Sequence, residues 1–452
     1  MKRRSFLFCL PAAAADWPSF RGDGTSISTA TDLPRDWAPD KNIAWSADIP
    51  GAGQSCPVVW KDQVFVTSTS GRQKEDLYLN AYDVKTGSQV WSKRLASPQA
   101  AATGLRTPPV SPSPSSGAGA LISKAPAALG VPALPSSAAA SVGAAYASPT
   151  PFAEAGRVFA LFETGQLGAF DERGNVLWQR SLSALYGPWT GKHGVATSLR
   201  RTQDAVIVFV AQSDKSFLLA ADPETGKTDW KVDRPQPAET WSTPVVVYAW
   251  QREIIVLCAG GAVEGYSTYD GKLLWRKEGI SGTRFVSPIP AGENRVLIAS
   301  SERGSNLLLR INPPGREPDI VWKSQNVTTG FSSPLIYDGV AYFVSAPGAL
   351  FALDLETGKE LFSDRLSGEH WASPIAWKNR ICFFALDGTT TIIESGRKLV
   401  KIATNKIPGN GPVYGVAAAD DALYFRMPGR LVRVGIPVPP KPKLWTPPKK
   451  QS

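Results

Sequence analysis

Short apolar runs, among them Ile254–Cys258, Ala422–Arg426 and Leu431–Val434, alternate with polar turns along most of the chain. Runs of this length, bounded by Gly, Asp and Pro, predict strands rather than helices. The runs share a phase. A unit opens with Ser/Thr-x-Pro, passes through two or three strand-like stretches, and closes with Asp-x-x-Thr-Gly-x-x-x-Trp or a degenerate form. The clearest closings are Asp83–Gly87 to Trp91, Asp222–Gly226 to Trp230, and Asp354–Gly358 to Phe362. Weaker copies are Asp171 with Gly174 to Trp178, Asp270-Gly271 to Trp275, Asn312 to Trp322, and Glu394-Ser395-Gly396 to Val400.

Matching openings lie at Ser55-Cys56-Pro57, Ser148-Pro149, Thr197-Ser198-Leu199, Ser242-Thr243-Pro244, Ser287-Pro288, Ser332-Ser333-Pro334 and Ser373-Pro374. An eighth, without proline, falls at Gly415-Val416-Ala417. The period of roughly 40–50 residues is that of a four-stranded propeller blade. The closing motif has a physical logic. An Asp side chain can accept hydrogen bonds from backbone N–H groups just ahead of it, Gly supplies the positive φ of the turn, and the next strand delivers a large flat ring between neighbouring sheets. Trp45, Trp91, Trp178, Trp230, Trp275, Trp322 and Phe362 are therefore the expected blade-docking residues.

Counting closes a ring. Seven units run complete from Ser55 to about Val400. The strands Val413–Ala418, Ala422–Arg426 and Leu431–Val434 lack a final partner, and Asn42-Ile43-Ala44-Trp45 is a final strand lacking the rest of its unit. Joining them predicts an all-β, eight-bladed β-propeller of four-stranded antiparallel blades, closed by its N- and C-terminal strands and free of exposed sheet edges. If Glu394–Val400 is not a unit, the count falls to seven.

The propeller is expected over 16–435, and one interval breaks its period. Residues 97–145, rich in Ala, Ser, Pro and Gly, separate Asp83 from Asp171 and read as a low-complexity, disordered insertion on one rim. At the ends, 1–15 has the form of a signal peptide: Lys2-Arg3-Arg4, a short apolar stretch, then small residues before Asp16. Arg3-Arg4-Ser5-Phe6-Leu7 is similar to a twin-arginine motif. Phe8 before Cys9 argues against lipid attachment. Residues 436–452 form a Pro/Lys-rich, extended tail. The two ends carry seven basic residues and no compensating acid in the tail, so most of the formal charge of +10 lies outside the body. Nucleic-acid binding, which needs a concentrated basic stripe, is not expected. Nor is a membrane span, since no apolar run approaches about 20 residues. A periplasmic or secreted monomer follows.

The Asp-x-x-Thr-Gly-x-x-x-Trp closings and the opening Asp16-Trp17-Pro18-Ser19-Phe20-Arg21-Gly22-Asp23-Gly24 resemble the PQQ-like β-propeller repeat family over nearly all of Asp16–Val434. That family includes quinoprotein dehydrogenases and the BamB-type lipoprotein of outer-membrane protein assembly. The resemblance implies fold more than function. Its dehydrogenases hold pyrroloquinoline quinone (PQQ) and Ca²⁺, with a disulfide between adjacent cysteines on the cofactor. Here no two cysteines are adjacent, and no Cys-x-x-Cys-His is present to attach a haem. Cys56, Cys258 and Cys382 lie in apolar stretches and are expected to be free thiols.

No catalytic, cofactor-binding or metal-binding set emerges. His193 and His370 stand in different units without a nucleophile or metal partner at a recognisable spacing, and Ala259-Gly260-Gly261 is a turn rather than a phosphate loop. The openings carry the more specific signal. Just before them lie Gln54, Ala147 beside Tyr146, Ala196, Trp241, Val286 beside Phe285, Phe331, Trp371 and Tyr414, with Arg284 and His370 adjacent. Each opening leads into an innermost strand, so Trp241, Arg284, Phe285, Phe331, His370, Trp371 and Tyr414 are expected round one mouth of the central channel. Such a set suits either protein recognition or packing between inner strands. The expectation is an exported, non-catalytic scaffold binding an envelope protein or peptide, with outer-membrane protein assembly as one role and a PQQ-dependent dehydrogenase as the alternative.

Overall fold

The computed structural model describes residues 16–71, 75–96, 147–189, 194–409 and 411–436. The expected leader 1–15, the whole insertion 97–145, the tail beyond Ile436, Tyr146 and His193 lie outside them. The described chain forms eight four-stranded antiparallel sheets arranged as a β-propeller. Seven blades are continuous in sequence. Blade 1 comprises Val58–Trp60, Gln63–Ser70, Asp76–Asp83 and Gln89–Ala96. Blades 2 to 7 begin with inner strands Phe152–Glu154, Arg200–Arg201, Val245–Ala249, Ile289–Pro290, Leu335–Tyr337 and Ile375–Trp377. Blade 8 takes Gly415–Ala419, Ala422–Met427 and Arg430–Val434 from one end of the chain and Ile43–Asp48 from the other. In that last pairing Trp45 lies opposite Arg433, Ala47 opposite Leu431 and Asp48 opposite Arg430. The only helix among the described residues is one short turn, Leu182–Tyr186, between blades 2 and 3.

The burial pattern explains the strand sequences. Middle strands such as Val206–Ala211 and Ser216–Ala221 are buried at every position, because each blade is covered on both faces by its neighbours. Outer strands such as Thr228–Asp233 are only partly buried. The hydrophobic core is consequently divided into layers between blades. One layer joins Val206, Val208 and Leu219 of blade 3 to Phe159 and Trp178 of blade 2; the next joins Ile207 and Phe209 to Ile255 and Tyr266 of blade 4.

The closing motif works as a clasp. Asp83 Oδ1 accepts from the N–H groups of Lys85 and Thr86 at 3.0 and 2.7 Å, and Gly87 turns the chain at φ 70°. The Trp45 indole of blade 8 lies on that glycine and donates its Nε1–H to the Val84 carbonyl at 2.9 Å. The clasp repeats from blade to blade. Trp91 rests on Gly174, Trp178 on Gly226, Trp230 on Gly271 and Trp322 on Gly358. Each donates to a carbonyl of the same turn, at 2.7 to 3.1 Å. Ala81, Ala169 and Ala220 stand opposite Trp91, Trp178 and Trp230, and a register shift follows each pair. The small partner leaves room for the ring, and the bulge re-aims it toward the next blade.

Two positions depart from the clasp. Trp275 pairs with Gly265 and folds back over it, so close that a Cβ at 265 would lie 2.2 Å from the ring. It is buried in the layer with Val296 and Ile298 of blade 5, but its indole N–H has no hydrogen-bond partner. Trp250, in the first turn of blade 4, reaches blade 5 in its place and donates to Ile311 O at 3.1 Å. Phe362 packs beside Tyr342, ring centroids 6.4 Å apart, but has no donor. There Tyr342 Oη accepts from Gly396 N at 2.8 Å and lies 3.2 Å from Gly396 O.

Candidate functional site

The openings meet at the channel. Their hydroxyls form a relay in which the backbone N–H of one blade donates to the Ser or Thr of the next. The order is Cys56 to Thr150, then Ser198, Thr243, Ser287, Ser333 and Ser373, with distances between 3.0 and 3.2 Å. This relay sets the alignment of the repeats. In blade 2 the equivalent of the other openings is Thr150-Pro151, two residues beyond the expected Ser148-Pro149. Two hydroxyl–proline pairs follow one another here, and the second is the one that enters the relay. The position facing the channel is therefore Ser148, not the fully buried Ala147, and in blade 5 it is Phe285, not the buried Val286.

The corrected set divides the mouth into two halves. Gln54, Ser148 and Ala196 make one side small and polar. Trp241, Phe285, Phe331 and Trp371 make the other an unbroken aromatic arc, with successive ring centroids 5.2, 4.8 and 4.9 Å apart. All four rings are half-buried. Arg284 caps one end of the arc, its guanidinium 4.7 Å from the Trp241 ring centre and 2.6 Å from Glu239. Tyr414 lines the same cavity. His370 does not. It is 1% exposed, with Nδ1 3.2 Å from Gly368 O and its backbone N–H bonded to Ala346 O. Burial pushes its imidazole down to about 4, so the ring is neutral near pH 7 and belongs to the packing behind Trp371.

Sequence reasoning missed the floor. The segment from Trp17 to Ser28 crosses the channel against five inner strands. Trp17 pairs with Val59, Pro18 O accepts from Ala153 N, Ile27 pairs with Ala376, and Ser28 Oγ donates to Ala418 O. From blade 3, Arg200 donates to Ser19 Oγ at 3.1 Å and to Phe20 O at 3.4 Å. Between floor and mouth lies a cavity of about 170 Å³, lined by Trp17, Phe20, Arg21 and Ser26 below and the aromatic arc above. Arg21 holds a left-handed backbone conformation, φ 64°, and its Nε donates to Ser26 Oγ at 3.0 Å. Burial first, and the charge of Arg200 second, push its guanidinium down to about 9.

The family model described as outer membrane protein assembly factor BamB matches residues 37–120 and 115–363. The chain belongs to that family. The outer membrane protein assembly factor BamB of Yersinia pestis is 24% identical over 245 residues, which is 49% of this chain and 57% of that protein. The chain thus spans little more than half the length of this curated relative. Among solved structures, BamB from Moraxella catarrhalis superposes with a TM-score of 0.57 at 13% identity, covering 86% of this chain and 96% of that one. A europium-containing methanol dehydrogenase gives 0.59 at 12%, covering 91% and 89%. At such identities the likeness is one of fold.

The resemblance to the PQQ-like repeat family raises the question of PQQ and Ca²⁺. Calcium takes six to eight oxygen ligands, usually including carboxylates. No Asp or Glu lines the cavity, and its charged floor residue is a cation. Among the described residues no three His, Cys, Asp or Glu side chains gather where they could hold a metal. Cys56, Cys258 and Cys382 are free thiols, and burial pushes the Cys56 thiol up to about 11. The described lining does not offer the carboxylate set that a Ca²⁺ ion takes.

Proposed function

We propose that this protein is an exported, non-catalytic scaffold that binds an envelope polypeptide at the aromatic mouth of its channel and serves outer-membrane protein assembly. The observation that carries the reading is the arc Trp241–Phe285–Phe331–Trp371. Four adjoining rings left half-open to solvent on a rigid ring are the composition of an interaction hot spot. Membership of the BamB family supports the assembly role. The periplasm is the corresponding compartment, and among the described residues no helix is long and apolar enough to cross a membrane. A monomer fits a ring in which every blade has its full four strands, the eighth completed by both ends of the chain.

The test is capture of envelope-fraction proteins by the purified chain and by a W241A/F331A/W371A variant. Loss of a specific partner at unchanged melting temperature supports recognition. Loss of melting temperature with the partner retained assigns the arc to packing and defeats the reading. A dye-reduction assay after incubation with PQQ and Ca²⁺ tests the dehydrogenase reading; turnover there would replace the scaffold.

A further inference from the structure

Arg21 is 3% exposed, yet only one of its three guanidinium nitrogens is satisfied. Nε donates to Ser26; the two terminal nitrogens have no hydrogen-bond partner among the described residues. A buried guanidinium is costly unless its donors are met, and an anion meets them best because the planar fork matches a carboxylate in bidentate fashion. The nearest compensating acid, Asp23, is exposed, and its Oδ1 already accepts from Thr25 N at 2.8 Å. Arg200 adds a second buried positive charge beside Arg21, with its own donors already spent on Ser19, Phe20 and Pro244. The floor of the cavity is thus a cation with two unpaired terminal NH2 groups, on a loop whose backbone is left-handed at Arg21. On one side its walls are Trp241, Phe285, Phe331 and Trp371, and no acid lines it.

We infer that the cavity is a carboxylate pocket: Arg21 takes the carboxylate of an organic monoacid whose apolar group lies against the aromatic arc. The two halves explain each other. The arc excludes water and lowers the local dielectric, which strengthens the ionic contact below. The cation in turn selects an acid over a neutral molecule of the same shape. At about 170 Å³ the cavity admits one small group of this kind rather than a folded element. The inference deepens the recognition reading of the same mouth and specifies the chemistry of the group that enters it.

The experiment titrates the full chain with 3-phenylpropionate, its primary amide and inorganic phosphate, following tryptophan fluorescence and melting temperature. Peptides ending in Phe, as free acid or amide, form a second arm. Saturable binding of the acid, with the amide weaker by roughly 10- to 100-fold, is the expected result, because the amide forfeits a charge-assisted bidentate contact. R21Q should lose affinity for the acid to the same extent, R21K less, and W371A should weaken acid and amide alike. A peptide acid that outbinds the small acid about tenfold identifies a chain terminus as the source; equal affinity identifies a free acid. Acid and amide binding equally, phosphate binding as tightly as 3-phenylpropionate, or R21Q retaining full affinity for the acid would each overturn the pocket. The acid–amide comparison on the native chain needs no variant to fold. If no acid binds while W241A/F331A/W371A still loses its partner, the pocket falls and the recognition surface stands. If the acid binds but the variant keeps its partner, the reverse holds.

Discussion

Gly415 faces Cys56 across the seam between the last blade and the first, and a Cβ on Gly415 would stand 2.2 Å from the Cys56 sulfur. Every other blade carries a Ser or Thr hydroxyl at this position of the relay. At the seam one partner is a glycine and the other a thiol, so the two blades meet by close approach instead of a hydroxyl bond.

That contact fixes the first prediction. Gly415→Ala should destabilise the protein by about 1–3 kcal/mol, the usual cost of overpacking a tight interior. In a C56A background the same substitution should cost measurably less, because the sulfur that it meets is gone. Equilibrium denaturation of the four proteins of this cycle checks the coupling; strict additivity would show that the seam does not depend on this pair.

The clasps give a second test. W322F removes the indole N–H that donates to Leu355 O at 2.7 Å, while W275F removes one that has no partner. The first should lose about 1 kcal/mol through the hydrogen bond, and W250F should lose a similar amount. W275F should bear only the loss of ring volume that W322F also bears, so the two should differ by about 1 kcal/mol. Equal losses for W322F and W275F in denaturant titrations would contradict the assignment of Trp250 as the substitute clasp.

Among the described residues Glu264 is a fully buried carboxylate that gathers two arginines. Its Oε2 accepts from Arg234 Nε at 2.8 Å and from Tyr266 Oη at 2.7 Å, while Arg276 donates to Oε1. Glu264→Gln leaves Arg234 buried without its counter-charge and should cost about 3–5 kcal/mol. Thermal denaturation measures it, and a loss below about 1 kcal/mol would show that the network carries no net weight.

Acid should weaken the fold through His370. Its folded-state value of about 4 lies below the ordinary 6.5, so between these limits the unfolded chain binds more protons. The stability due to the neutral ring is complete above about pH 6.5 and is lost as pH falls toward 4, by about 3 kcal/mol over the window. Asp420 acts in the opposite sense: burial first, and Asp16 second, raise it to about 6, so it favours the folded state more as pH falls through that range. The readout is therefore the difference between native protein and H370N from pH 7 to 4, in which the Asp420 contribution cancels. A flat difference would show that His370 is protonated without cost in the fold.

Much of the fold was legible because the closing motif is local chemistry. An Asp that caps its own turn, a Gly at positive φ and a Trp on the next strand need no distant partner to be recognised, and their phase counted the blades. The docking role of Trp275 could not be read as finely, because Gly265, whose missing side chain lets the ring fold back, lies in another strand. Trp250 had no motif at all; only the register of blade 4 brings it to Ile311. At the site, the aromatic arc followed from the alignment of openings, whereas His370 was misplaced since a one-residue step along the chain turns a side chain from channel to core. Arg21 was invisible as a functional residue. Its segment makes contacts with five blades that lie far away in sequence, and nothing in Ser19-Phe20-Arg21-Gly22 signals that it crosses a channel.

The shared eighth blade has a consequence for biogenesis. A chain still being made or threaded through a membrane holds Ile43–Asp48 without the strands it must pair with, since Arg430–Val434 arrive last. Until then the ring is a curved stack with an unpaired strand at either limit, the state most prone to recruit foreign strands. Completion is therefore a single late event, and a proteolytic nick or premature stop near the carboxyl end would undo the circle as a whole instead of trimming one sector.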